Sequence, residues 1–284
     1  MRVHPLLTRR SMLQVRALVQ LTGLALLLLP GIRVAAQEVA TAIPADQQEK
    51  FLQTAKIVSQ KVLSRGVTKS SRATLTDGKI THDAQIQGID KQLVNLYAPD
   101  GTPVPWRDSY KYNVAAYRLL RFLELDMTPV SVERKINGKP VSITWWADNL
   151  KMLELERLRK KIEPPDPKDW KRQMSSVLVF DNLIFNIDRN LENLAITNDW
   201  KPVMIDHTRA FAAVPKLMNP DDLTMCRRPL FEKIQGLSAS SVQQAVNGYL
   251  TKSEVEGVMK RRDLLVQHFK KLIAEKGEPA VLIP

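Results

Sequence analysis

The chain of 284 residues carries a single cysteine, Cys226. One thiol excludes an internal disulfide and a cysteine-rich zinc site. Its context, Thr224-Met225-Cys226-Arg227, reads as helical, so a buried thiol of low reactivity is expected. Histidine is scarce as well. His82 and His207 each lack a second histidine at ligand spacing, which makes them structural or supporting residues rather than metal ligands. There is no internal repeat and no low-complexity tract. No nucleic-acid-binding motif accompanies the formal net charge of +12, so a nucleic-acid partner is not expected. The basic excess reads as solvated Lys/Arg faces, though it also suits phosphate or an anionic membrane. The apolar run 17–29 falls short of the roughly 18 residues that a membrane-spanning helix needs.

That run belongs to a segment without a single acid. Residues 1–36 contain five arginines, and Thr8-Arg9-Arg10-Ser11-Met12-Leu13 resembles a twin-arginine export motif. Pro30-Gly31 breaks the run, and Val34-Ala35-Ala36 supplies a cleavage site before Gln37. We read residues 1–36 as a signal peptide directing export to the periplasm or the exterior. Arg16 and Arg33 fit it imperfectly, and an uncleaved membrane anchor is the alternative. Residues 37–46 show no periodicity and read as a tether.

The remainder is ordinary for a folded protein and long enough for one large core or two lobes; the whole chain is 44% hydrophobic and 25% charged. Residues 47–64 read as an amphipathic helix with Phe51, Ala55, Val58 and Val62 on one side. A loop with Gly66, Thr68 and Lys69 follows. Small and hydroxyl residues between strands can present N–H groups to phosphate, although an ordinary hairpin connection has the same composition. Strands are expected at 73–75 and 81–87, the latter ending in Gln87, with a turn at Asp77-Gly78. Residues 110–123 read as a helix, and 130–133 with 141–145 as a hairpin across Asn137-Gly138. Trp145-Trp146 then offers two flat apolar faces that could sandwich a base or simply pack a core.

Beyond them, 148–161 reads as a charged helix, Pro164-Pro165-Asp166-Pro167 as a break, and 168–185 as a long helix. After residue 211 the pattern is nearly all helical. Asn219-Pro220-Asp221 starts one helix and 238–249 forms another. The pattern Ser253-x-x-Glu256 reads as a capping box for a last helix at 255–274, with Arg261, Arg262, Lys270 and Lys271 on its wet side.

The chemistry concentrates in residues 181–211. Asp188-Arg189 opens a polar loop and Asn193 closes it. A short apolar strand, the turn Asn198-Asp199 and a second strand lead to Asp206. Two adjoining strands would place Asn193 and Asp206 at neighbouring ends, where an amide oxygen and a carboxylate can share a hard cation that keeps its other ligands as water and phosphate. Read singly, Asp188 and Asn193 only shape turns and Asp206 ends a strand.

Taken together, Asp188-Arg189-x-x-x-Asn193 and Ile205-Asp206-x-x-x-Ala210-Phe211 resemble the catalytic and metal loops of the atypical protein-kinase-like superfamily. The similar patterns are those of phosphatidylinositol 3- and 4-kinases, bacterial toxin serine kinases and secretory-pathway kinases. The resemblance implies an α+β, two-lobed fold. The small sheet-containing lobe would span 47–146 and the mainly helical lobe 147–284. It also implies ATP and Mg2+ as cofactors, Asp188 facing an acceptor hydroxyl, Arg189 bracing the loop, and Asn193 and Asp206 on the metal. Gly66, Thr68 and Lys69 would overlie the nucleotide phosphates, and Trp145 and Trp146 would flank its base.

The chain departs from the pattern in one respect. The phosphate-binding lysine falls on Gln87 and its glutamate partner on Asn113. An altered kinase acting on a protein or small-molecule hydroxyl and a non-catalytic pseudokinase scaffold both remain open. Lys69, Lys91 or Lys111 could supply the missing charge.

Overall fold

The computed structural model describes residues 43–63, 70–97, 101 and 103–284. The export segment 1–36, most of the tether and the loop residues Gly66, Thr68 and Lys69 lie outside them. Helix α1 (Ala45–Thr54) is followed by strand β1 (Lys56–Val62), not by more helix, which corrects the reading of 47–64. Ala55 already has extended backbone, and β-branched Ile57, Val58 and Val62 favour a pleated segment. Val58 and Val62 are 52% and 65% exposed, so their helical spacing marks no buried face.

Strand β2 (Ser71–Thr76) pairs antiparallel with β1 and with β3 (Thr81–Gln87). In the β2–β3 turn the Asp77 carboxylate accepts from the N–H groups of Lys79 and Ile80, and Gly78 takes φ 88°. A hairpin of β4 (Asp90–Tyr97) and β5 (Pro103–Ser109) then leads into α2 (Lys111–Phe122). Strands β6 (Ser131–Ile136) and β7 (Lys139–Trp145) join through Asn137 and Gly138, both at positive φ, as a two-residue hairpin of this twist requires. They complete an antiparallel sheet in the order β1-β2-β3-β7-β6.

One core forms under this sheet from Phe51, Leu52, Leu75, Ile86, Ile143 and Trp145. A second core fills the helical region. Helix α2 serves both: Tyr117 packs in the first, while Tyr112, Ala115, Leu119 and Leu120 pack in the second.

The expected helix at 148–161 is instead strand β8 (Leu150–Leu153) and a short helix α3 (Glu154–Arg159). Asn149 at φ 55° breaks the chain direction, and tertiary pairing with a later strand overrides the local helical pattern. Helix α4 (Pro167–Ile184) starts where Asp166 accepts from the N–H groups of Lys168 and Asp169, with Pro167 in its first turn. Strands β9 (Leu194–Thr197) and β10 (Pro202–Met204) join β8 in a small antiparallel sheet ordered β10-β9-β8.

The chain ends in β11 (Cys226–Arg227), α5 (Arg228–Gln235), α6 (Ala239–Val246), α7 (Lys252–Lys276), α8 (Glu278–Val281) and β12 (Leu282–Ile283). Four expectations are corrected here. Residues 219–221 start no helix beyond the single turn Pro220–Asp222. Cys226 lies in a strand, pairing with Leu282 of β12, although it is buried; burial pushes its thiol pKa up to about 12. The capping box of α7 is Thr251 with Glu254, two residues earlier than Ser253 with Glu256; both pairs fit the sequence pattern. Arg261 is wholly buried rather than wet. It donates to the carbonyls of Leu183, Ala212 and Val214, which substitute for water around its charge. Among the described residues no helix is long and apolar enough to cross a membrane.

Candidate active site

The last turn of α4 buries two polar residues, Asp181 and Asn182. A carboxylate there faces the negative end of the helix dipole and needs compensation. Arg189 provides it, donating through Nε and Nη2 to the two Asp181 oxygens at 2.9 and 3.2 Å. Asn186 adds a bond from its side-chain amide at 3.0 Å. Phe185, at φ 51°, turns the chain out of the helix. The Asp188 N–H donates to Asn186 Oδ1, and Asn190 Oδ1 accepts from the N–H groups of Glu192 and Asn193. The polar loop is therefore held by its own short side chains.

Arg189 also ties this loop to the next. Its Nη1 donates to the carbonyl of Asn193 and, at 2.8 Å, to that of Ile205. Its Nη2 meets His207 Nε2 at 2.9 Å. A guanidinium only donates, so Nε2 is the accepting nitrogen and His207 is neutral. Burial, and then the Arg189 charge, hold its pKa well below the usual histidine range. Leu194 pairs with Met204, and the Ile205 N–H donates to the Asn193 carbonyl. Asn193 and Asp206 thus stand at the same end of the β9–β10 pair. The Asn193 amide N–H donates to the Asp188 carbonyl. The structure brings Asp188, Arg189, Asn193 and Asp206 together.

Asp206 occupies left-handed backbone at φ 53°, a conformation that Asp tolerates better than most residues. Burial raises its pKa first. The Thr208 hydroxyl and N–H pull it down, and the charges of Asp108 and Asp188 push it up again. Asp206 makes no ion pair among the described residues. Asp108, at the end of β5, is buried; its Oδ2 accepts from Arg209 Nε at 2.9 Å, while its Oδ1 has no hydrogen-bond partner among the described residues. Arg209 Nη1 lies 3.6 Å from Asp188 Oδ2. Asp108 and Arg209 were missed in the sequence. Arg209 lies inside the metal-loop motif and could have been noticed there; Asp108 had no local signal.

Gln87 and Asn113 form a buried neutral pair. Asn113 Nδ2 donates to Gln87 Oε1 at 2.7 Å, and Asn113 Oδ1 accepts from the His207 N–H at 2.8 Å. The pair therefore links β3, α2 and the segment after Asp206.

A cavity of about 180 Å3 lies beside these groups, edged by Trp145, Trp146, Ala147, Leu150, Ile205 and Asp206. The Trp145 side chain mostly belongs to the first core. It stacks on His82 at 3.6 Å, meets Phe51 edge-on, and donates to Asp148. The Trp146 ring is half-buried beneath the Arg72 guanidinium, 4.2 Å from its centroid. The N–H groups of both tryptophans are bonded within the fold, to Val130 and Asp83. Leu63, just before the residues that include Gly66, Thr68 and Lys69, lines the same cavity.

An antiparallel-sheet region followed by a helical region, with loops of this geometry between two cores, is the atypical protein-kinase-like fold. Among solved structures, hydra Fam20 with sugar superposes with a TM-score of 0.64 at 15% identity, over 86% of this chain and 93% of that one. The Golgi casein kinase with Mn/ADP bound gives 0.62 at 13% identity, over 84% and 78%. The Helicobacter pylori proinflammatory kinase CtkA gives 0.51 at 12%, over 78% and 98%. No family model matches the chain. No curated protein matches it by sequence.

Proposed function

We propose that this protein is an ATP- and Mg2+-dependent phosphotransferase acting on a hydroxyl of a protein or small molecule. The observation that carries the reading is the Arg189 knot, which sets Asn193 and Asp206 side by side, with Asp188 one loop away and an apolar cavity alongside. The donors suit a hard divalent cation: one amide oxygen and one carboxylate, in a neighbourhood where three carboxylates face one guanidinium. Asn193 and Asp206 would hold the ion, which when bound would neutralise charge on the transferring phosphoryl group. Among the described residues no three His, Cys, Asp or Glu side chains form a metal cage, and a kinase-type ion needs none.

In this reading Asp188 orients the acceptor hydroxyl and takes its proton, and Arg189 keeps the loop in register. Trp146 flanks a base in the cavity, Trp145 supports it from the core, and Gln87 anchors the neighbouring wall through Asn113. The loop with Gly66, Thr68 and Lys69 covers the phosphates. Residues 1–36 direct export, the tether read at 37–46 gives way to α1 at Ala45, and 47–146 and 147–284 are the two lobes. The Mn/ADP complex of the Golgi casein kinase supports a nucleotide and a divalent metal for this fold.

The neutral Gln87–Asn113 pair favours a second reading, a non-catalytic extracytoplasmic scaffold. Thermal unfolding with ATP, with and without Mg2+, tests the first. A ligand at 100 times its Kd stabilises by about 2.7 kcal/mol. We expect a magnesium-dependent rise in Tm that Asp206→Ala abolishes. A Tm indifferent to nucleotide, or to Asp206, supports the scaffold.

A further inference from the structure

We infer that Arg209, seated on the buried carboxylate of Asp108, is the cation that receives the terminal phosphate of the nucleotide. Arg209 thereby replaces the lysine absent at Gln87. The inference rests on the phosphotransferase reading and adds to it a residue that binds the transferred group and a residue that positions it.

Three observations converge. First, the position from which a lysine would reach the phosphates holds a neutral amide, Gln87, bonded to the neutral amide of Asn113. The Asn113 oxygen is held by the His207 N–H. Neither side chain carries the full positive charge that phosphate oxygens favour.

Second, Arg209 lies where such a charge is required. It is three residues beyond Asp206, its Nη1 is 3.6 Å from Asp188, and the charges of Asp108, Asp188 and Asp206 all act on it. If Asp188 orients an acceptor hydroxyl and Asp206 holds the metal, the phosphoryl group passes between them, against this guanidinium. A planar fork of N–H donors suits phosphate oxygens geometrically.

Third, the side chain is aimed from behind. Asp108 is 1% exposed and, among the described residues, accepts from Nε alone, with its own Oδ1 left without a partner. A buried carboxylate so incompletely satisfied is costly, and Arg209 is its one ion-pair partner among the described residues. The Arg209 side chain is 28% exposed, and Nη1, which Asp108 does not engage, lies 3.6 Å from Asp188 Oδ2. The Ser109 N–H donates to the Thr208 carbonyl at 2.9 Å, which fixes the backbone on both sides of the pair.

The test is titration calorimetry of ATP, ADP and AMP with Mg2+ against the whole chain and its Arg209→Met, Arg209→Lys and Asp108→Asn variants. Thermal melts verify that each variant folds. The wild type is expected to bind ATP about tenfold or more tightly than ADP. Arg209→Met should bring the two within about twofold while leaving ADP affinity nearly unchanged, since only the terminal phosphate loses its partner. Arg209→Lys should keep part of the preference. Asp108→Asn should lose part of it, with the Arg209 charge intact but its aim loosened. A purely structural role would lower Tm and weaken all three nucleotides alike, and that result overturns the inference. So does an ATP preference that survives Arg209→Met while binding stays magnesium-dependent, an outcome that leaves the phosphotransferase reading standing. A wild type that binds none of the three overturns both.

Discussion

Arg189 uses every nitrogen of its guanidinium on groups that the chain would otherwise leave apart: the Asp181 carboxylate, two main-chain carbonyls and the ring of His207. The pair it forms with Asp181 is well buried, with side chains 12% and 5% exposed. Removing one partner of such a pair costs more than the pair contributes, because the other charge is left in a poorly solvating interior. Arg189→Met is therefore expected to destabilise the fold by about 3–5 kcal/mol in urea denaturation. A loss below about 1 kcal/mol would mean that Asp181 finds water or another donor. The spacing of Asp188, Arg189, Asn193 and Asp206 was legible in the sequence because all four lie within one short stretch whose strand-turn-strand pattern is local. Arg189's anchor was not, since an aspartate eight residues earlier inside a helix looks like any other polar helical residue.

At the level of elements, local periodicity identified the hairpins and the long helices but failed where tertiary pairing decides. Residues 150–153 carry leucines at helical spacing and form a strand because β9 offers them an edge. Arg261 reads as surface charge on α7, yet it points inward, where three carbonyls at the ends of distant segments receive it. Nothing within α7 announces those carbonyls. The close approach that permits this shows one turn earlier, at Gly257: a Cβ there would lie 2.8 Å from Ala213 Cα. Helix propensity alone predicts that Gly257→Ala stabilises by about 1 kcal/mol. Contact with main chain that cannot move aside opposes it with about 1–3 kcal/mol. We expect a net loss of up to about 2 kcal/mol, read as a lowered Tm. A raised Tm would show that α7 can withdraw from residue 213.

For the molecule as a whole, the sheet region and the helical region each have a core, and α2 contributes side chains to both. The candidate groups come from elements far apart in sequence: Asp108 from the end of β5, Asn113 from α2, Asp188 and Asn193 from the loop after α4, and Asp206 and Arg209 from the segment after β10. That assembly explains why the sequence revealed one half of the site more clearly than the other. The β4–β5 hairpin that delivers Asp108 had no expected counterpart, so its carboxylate could not be paired with Arg209 from spacing alone. The fold is shared with kinases at 12–15% identity, a level at which shape persists and activity must be measured. The measurement closest to the central claim is release of labelled phosphate from γ-labelled ATP, to water or to the chain itself, by the wild type and by Asp188→Asn in Mg2+. The account predicts turnover that Asp188→Asn lowers by about 100-fold or more while nucleotide affinity stays the same. Equal turnover in both, or nucleotide binding with turnover in neither, would contradict it.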